Sequence, residues 1–334
     1  MTLELLHDLV AAPSPSRSEG PATDVLEAWL AERRHDYVRR DRNVAAVKDS
    51  GRPGPTLLLI SHHDTVPATA AWTRDPLSPE IADGKLYGLG ANDAKGCVAA
   101  MASAFHRVTP RRGKLVFASV CEEEVGRGGA EVFVPTLGHV DEAIVGEPTG
   151  LRIATSQHGM LLLDCVARGR AGHAARPHLA DNAIYAACRD VLALEALDVA
   201  PDTLAVTIVN AGERHNVIPD ACRFTVDMRT RTPHDALVAR VRATVRSEVS
   251  VRSDRFHPVA TPPDARVLAA ALRTGADTFD SPTLSDWAHL RGIAAIKWGP
   301  GLSEVSHTAD EWVEIAMVER AAVDYARVAA EVLA

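Results

Sequence analysis

No two cysteines in this chain stand in a C-x-x-C pair, and the five present (Cys97, Cys121, Cys165, Cys188, Cys222) are an odd number. This argues against a disulfide framework and for a reducing, cytoplasmic setting. The first residues, MTLELLHDLVAAPSPS, lack a basic segment followed by an apolar core, so the sequence predicts no secretory signal peptide. No run approaches the roughly 18 apolar residues of a membrane-spanning helix, so no membrane role is expected. Basic blocks are missing too. With Lys+Arg 36 against Asp+Glu 44, the formal charge is −8, which argues against a nucleic-acid surface. The cluster Arg33, Arg34, Arg39, Arg40 and Arg42 reads as a solvated face or strand edge. GKLYGLGAND lacks the G-x-G-x-x-G spacing of a dinucleotide-binding turn. There is no internal repeat and no low-complexity linker.

What remains is a globular chain of 334 residues, 46% hydrophobic, enough for a sizeable core. At about 100–200 residues per domain, two domains are expected. The pattern predicts helices at about 2–12 and 20–34, separated by the breaker PSPSRSEGP, and then an edge pair in YVRRDRNVAAVK. TLLLIS (56–61) is all apolar, as a strand buried on both faces of a parallel sheet must be. A helix at 95–108, strand KLVFASV, a helix in GGAEVFVPTL and strand EAIVGE follow. This alternation predicts an α/β fold: a mixed, mostly parallel sheet sandwiched by helices. After about residue 158 the rhythm becomes β-α-β-β-α-β, the order of a ferredoxin-like α+β sandwich. From about 260 the chain returns to helix, strand IAAIKW and a long helix. The expected organisation is therefore residues 1–158 with 260–334 as the main domain, and 159–259 as a smaller inserted one.

Polar clusters recur where apolar strands should end. His62-His63-Asp64 follows TLLLIS, Glu122-Glu123-Glu124 follows KLVFASVC, and Glu147 follows EAIVG. Asp93 stands in GLGANDAKG, and Ser306-His307 follows IAAIKW within GPGLSEVSHTADE. In open parallel sheets, ligands bind beyond the carboxyl ends of the strands. A lone histidine there is usually structural, and three glutamates in a row usually form a solvated face. Jointly, on one rim, they call for a ligand that rewards buried carboxylates, because unpaired buried charges are costly. A pair of divalent cations does this, and imidazole with carboxylate suits zinc. In His62-x-Asp64, the histidine can ligate while the aspartate fixes its tautomer. His63 then points the other way, toward packing or the surface.

SHHDTVPA, GLGANDAKG, CEEEVGRGGA, VGEPT, GRAGHAARPHLADNAI, NVIPDACRFTVDMR and GPGLSEVSHTADE occur in order across nearly the whole chain. In these motifs the chain resembles the zinc aminoacylase and exopeptidase family. That family includes acetylornithine deacetylase, succinyl-diaminopimelate desuccinylase and carboxypeptidase G-type enzymes. The nearest resemblance is to the acetylornithine deacetylase branch. The resemblance implies two Zn²⁺ per subunit, with Co²⁺ as a substitute. It implies His62 and Glu147 as ligands of one ion, Glu124 and His307 of the other, and Asp93 as the bridge. It makes Glu123 the general base and Asp64 the residue that orients His62. Glu122 stands where the family often has Asp.

In the insert, the same resemblance implies that His173 reaches the active site of a partner subunit, so a homodimer through this domain is expected. Asn216 and Arg229 match positions that hold the substrate carboxylate, although a salt bridge at a strand end would also account for Arg229. Gly299 and Gly301 of the GPG turn could offer N–H donors to the substrate. The implied reaction is removal of an N-acyl group from an amino acid, foremost N2-acetylornithine to ornithine and acetate in arginine synthesis. Acetylcitrulline, succinyl-diaminopimelate, carrier-protein-linked lysine or ornithine, and dipeptides are alternative substrates. Lys297, Arg176 and Arg214 are candidate cations for a succinyl group. A metal-free binding or scaffold protein is the alternative outside enzymology.

Overall fold

The strand Thr56–His62 is buried at every position and lies between two parallel neighbours, Lys114–Val120 and Glu142–Gly146. Leu57 and Leu59 enter one apolar cluster with Val98, Phe105, Phe117 and Tyr325. Leu58 and Ile60, equally buried, face the opposite side by strand alternation. Ala294–Lys297 adds a fourth parallel strand beside Glu142–Gly146. The strands flanking these four, Asn43–Asp49 and Ile153–Gln157, pair antiparallel with them. Asn43–Asp49 and Tyr37–Arg40 extend one side, Ile153–Gln157 and Val259–Ala260 the other, and Thr278–Ser281 pairs with Ile153–Gln157.

The computed structural model describes residues 1–334. It divides into two compact units: Met1–Ser156 with Ala260–Ser281 and Ser285–Ala334, and Gln157–Val259 with Pro282–Leu284. In the first unit, helix Gly96–Arg107 is buried from Gly96 through Phe105, as expected of a helix apolar all round. Helix Ile315–Val332 buries Val318, Ala321, Ala322, Tyr325, Val328, Ala329 and Val332 along one face. Pro21 opens the helix Gly20–Glu32 at its first turn, where its missing N–H costs nothing.

This unit departs from the sequence expectation in several places, the short strands Ile153–Gln157 and Thr278–Ser281 among them. GGAEVFVPTL forms one α-turn, Ala130–Phe133, followed by the 3₁₀ turn Val134–Leu137. Pro135 has no N–H to continue an α-helix. A three-stranded sheet of Glu80–Ala82, Lys85–Tyr87 and Trp312–Glu314 was not foreseen, because three-residue strands are too short to show alternation.

The second unit is a four-stranded antiparallel sheet ordered Thr203–Ala211, Ala221–Thr230, Gly159–Arg168, Glu248–Phe256. Gly159–Arg168 alternates buried and half-buried residues, so one face packs and the other does not. Leu161, Leu163, Phe224, Val226, Leu237 and Val241 form a core of its own. Helices Ala183–Glu195 and His234–Thr244 complete the β-α-β-β-α-β order anticipated from sequence.

Candidate active site

All four parallel strands end on the same rim of the first unit, and three of them lead directly into polar residues. His62 is the last residue of its strand, Glu122–Glu124 follow Val120 by one residue, and Glu147 follows Gly146. The register sets Ser61 beside Gly146, so His62 and Glu147 are next in line on adjacent strands. Asp93 comes from the segment Ala91–Lys95, which is wound more widely than an α-helix and leaves helical geometry at Asp93 and Ala94.

Ligand-capable atoms of His62, Asp93 and Glu147 all lie within 4.8 Å of one another, as do those of Asp93, Glu124 and His307. Asp93 belongs to both groups. His62 Nε2 is 3.2 Å from Asp93 Oδ1, and His307 Nε2 is 2.8 Å from Glu124 Oε1 and 3.7 Å from Asp93 Oδ2. The five residues expected on the rim thus converge, from positions spread over most of the sequence.

Asp64 is completely buried beneath them. Its Oδ1 is 3.4 Å from His62 Nδ1 and accepts the N–H of Glu123 at 3.0 Å. Its Oδ2 accepts the Ser16 hydroxyl at 2.8 Å and the N–H of Glu124 at 3.2 Å. Burial opposes its charge, but these bonds prevail and hold the carboxyl down to about 2. His63 packs inside the fold, its ring nitrogens 2.9 Å from Ser119 Oγ and 3.2 Å from Thr23 Oγ1. Burial pushes its pKa down to about 3.

Sequence reasoning missed a supporting layer. Glu311 Oε1 accepts the N–H groups of Asn92 and Asp93, each at 2.9 Å, and Oε2 accepts that of Gly90 at 2.9 Å. The Asn92 amide donates to the Leu302 carbonyl at 3.0 Å and to Ser306 Oγ at 3.1 Å, and it accepts the Leu302 N–H at 2.8 Å. Asn92 thus docks the loop that carries His307 onto the segment that carries Asp93. Buried Asp286 also belongs to this missed layer, its charge acting on Glu123 and Glu147, while Lys297, expected as a cation for a succinyl group, is buried and its charge acts on the same two glutamates. The only sequence signal for Glu311 is its place as the last residue of GPGLSEVSHTADE.

The remaining expected residues fall in two places. Gly299 donates its N–H to Thr149 Oγ1 at 3.0 Å, so the donor foreseen there is engaged within the fold. Gly301 takes φ +89°, and a Cβ would sit 2.4 Å from Asn92 Oδ1, so only glycine fits. His173, Asn216 and Arg229 belong to the second unit. Strand Gly172–His173 pairs with Val217–Ile218, and the Ala174 N–H bonds the Asn216 carbonyl at 3.0 Å, so His173 and Asn216 are neighbours. Exposed His173 accepts the Ala175 N–H on Nδ1 at 3.0 Å. Arg229 Nε donates to Asp227 Oδ1 at 3.1 Å, the salt bridge foreseen as its other role.

The rim's electrostatics are those of crowded anions. Burial, and then the charge of Asp93, pushes Glu147 up to about 8, against the pull of His62. Burial likewise raises Glu123 well above the usual carboxylate range and Asp286 up to about 7. Burial works against a charge on His62, yet Asp64 and Asp93 hold its pKa well above normal, and Glu124 lifts His307 to about 9. The rim therefore either retains protons or takes up cations. Two overlapping groups of imidazole and carboxylate donors fit borderline divalent metals.

A prediction follows from the sign of these shifts. Glu147, Asp286, His62 and His307 each bind a proton more tightly folded than unfolded. Such a group's stabilising share is lost as pH rises toward its folded pKa. His35 and His63, with folded pKa values below the histidine norm, oppose this trend only below about 6.5, and Lys95, which burial pulls down to about 7, opposes it above about 7 as one group against these four. Between about pH 6.5 and 8, the Tm of chelator-treated protein is thus expected to fall. Adding Zn²⁺ should raise Tm more at pH 8 than at pH 6.5. A Tm insensitive to both pH and Zn²⁺ in that window would show that the rim is not a cation site.

A mostly parallel α/β sheet with such a rim is the framework of a metallohydrolase class. The chain belongs to peptidase family M20/M25/M40, whose model matches residues 58–331, and it is a hydrolase of that family. It is 34% identical to acetylornithine deacetylase of Myxococcus xanthus, covering 93% of this chain and 92% of that one. It is 33% identical to succinyl-diaminopimelate desuccinylase of Cereibacter sphaeroides, covering 97% of each. In fold it matches a dinuclear metal-binding peptidase of the M20 family from Bacillus subtilis, at TM-score 0.78 and 18% identity, over 99% of this chain and 97% of that one. No helix is long and apolar enough to cross a membrane.

Proposed function

We propose that this chain is a metal-dependent amidohydrolase that frees an amino acid from its N-acyl group, with N2-acetylornithine as the foremost substrate. The observation that carries the reading is the pair of donor groups sharing Asp93, with Glu123 directly beside Glu124 but in neither group. His62, Glu147 and Asp93 would hold one divalent ion, and Asp93, Glu124 and His307 the other. We take the ions to be zinc, with cobalt as a substitute. Bound there, the ions supply Lewis acidity that polarises an amide carbonyl and lowers the pKa of water toward neutrality.

The protein's own groups do the rest. Glu123 takes the proton of the attacking water and delivers it to the leaving amine, so that the C–N bond breaks to an acid and an amine. Its burial favours the proton-holding form that this second role needs. Asp64 fixes the ring of His62 and, through two N–H bonds, the backbone of Glu123 and Glu124. Arg229 and Asn216 hold the substrate α-carboxylate and so position the amide. His173 donates to the oxyanion in the site of a partner subunit, which makes the protein a homodimer joined through its second unit. Exposure of His173 suits that role.

The similarity to acetylornithine deacetylase and to the desuccinylase supports deacylation over peptide cleavage, and family membership favours the hydrolase over the metal-free scaffold. The test is a panel of acetylornithine, acetylcitrulline, acetyl-lysine, succinyl-diaminopimelate and simple dipeptides with zinc-loaded protein. Acetylornithine is expected to have the highest kcat/KM. A preference for the succinyl compound or a dipeptide would overturn the substrate, and no turnover on any of them would overturn the class.

A further inference from the structure

The segment Cys121–Gly129, which carries Glu123 and Glu124, is neither helix nor strand. Backbone N–H groups in such a loop need partners from elsewhere. Here four consecutive ones are bound by side chains from distant parts of the chain. Cys121 donates to Asn43 Oδ1 at 3.0 Å, Glu122 to Glu19 Oε1 at 3.1 Å, Glu123 to Asp64 Oδ1 at 3.0 Å and Glu124 to Asp64 Oδ2 at 3.2 Å. Glu122 takes φ +56°, a conformation that a non-glycine residue keeps only when its surroundings impose it. Its carboxylate is held by Arg42 Nη2 at 2.5 Å, and Gly128 leaves room for it, since a Cβ there would lie 2.5 Å from Glu122 Oε1.

The holds on Glu122, Glu123 and Glu124 lead back to Ser14–Glu19, the turn after the first helix. Ser16 Oγ bonds Asp64 Oδ2 at 2.8 Å, and the turn is pinned by Thr65 N–H to the Ser14 carbonyl at 2.9 Å and Ser16 N–H to the Thr65 carbonyl at 3.2 Å. Glu19 is fully buried. Its Oε1 also accepts the Arg17 N–H at 2.7 Å, and its Oε2 lies 3.2 Å from Arg42 Nε, an ion pair rather than an aligned hydrogen bond. Arg42 Nη1 donates to the Arg17 carbonyl at 2.7 Å.

We infer that Ser16 and Glu19 are positioning residues: the turn Ser14–Glu19 sets the height and direction of the Glu122–Glu124 backbone, with Arg42 and Glu122 closing the network. This rests on Glu123 being the base, as proposed above, but the hold itself does not. The test pairs Glu19→Ala and Glu19→Gln with the milder Ser16→Ala. Glu19→Gln keeps an oxygen for the two N–H groups, and Glu19→Ala does not. Two readouts separate the claims. Hydrogen–deuterium exchange of the amides at 121–126 is expected to speed up in Glu19→Ala, and far less in Glu19→Gln, whatever the substrate. On the best substrate, kcat is expected to fall about 10- to 100-fold in Glu19→Ala, the usual effect of removing an outer-shell partner, with KM within about 3-fold, and to recover largely in Glu19→Gln. Ser16→Ala should lower kcat in the same way but less, and it keeps the question answerable if Glu19→Ala does not fold. Unchanged exchange at 121–126 would overturn the hold. Faster exchange with unchanged kcat would overturn its part in positioning the base. A wild-type chain inactive on the whole panel would sink the function while leaving the exchange result to decide the hold.

Discussion

Glu123→Gln is expected to lower kcat by about a hundred- to ten-thousand-fold, the range general-base catalysis contributes, while the protein keeps its full complement of metal. The amide is nearly isosteric but cannot take a proton from water. Glu123 lies outside both donor groups, and its backbone bond to Asp64 is untouched by the substitution. The same change removes one of the crowded rim carboxylates whose ionisation burial resists, so the metal-free variant is expected to melt no lower than wild type at pH 8. Metal analysis beside single-turnover kinetics checks the first claim. A variant that loses metal in parallel with activity, or keeps near-wild-type turnover, would reassign the base.

The second large effect concerns a residue of the other unit. His173→Ala is expected to lower kcat by about a hundred- to a thousand-fold, the scale of losing one oxyanion donor. The informative measurement mixes this variant with Glu123→Gln. If His173 serves a partner's site, the His173→Ala chain still has its own Glu123 and receives a sound His173 from its Glu123→Gln partner. Half of randomly reassociated dimers then carry one intact site of two, and about a quarter of wild-type activity returns. Mixtures no more active than the separate variants would place His173 in the service of its own chain or of neither.

The rim is legible in the sequence for a physical reason. TLLLIS, KLVFASV and EAIVG are too apolar to be anything but buried strands, and parallel strands bring their carboxyl ends together whatever their order in the chain. His62, Glu122–Glu124 and Glu147 can therefore be assigned to one place before any coordinates are known. The residues that hold them cannot. Glu311 acts by accepting N–H groups from Gly90, Asn92 and Asp93, and the Gly90 bond joins residues 221 positions apart, a pairing that no periodicity predicts. SPSRSE reads as punctuation between two helices, yet Ser16 and Glu19 bond to the core of the site. His173 and Asn216 meet through a pair of two-residue strands, below the length at which alternation can be seen.

The last parallel strand, Ala294–Lys297, and the loop after it give the site's chain order a consequence for biosynthesis. A ribosome makes His62, Asp93, Glu124 and Glu147 long before His307 and Glu311 emerge, and domains fold as units from the N-terminal side. Until those residues arrive, the nascent chain lacks a donor of one group and the acceptor that orders Asp93. All donors of the first group are therefore made before the second group is complete.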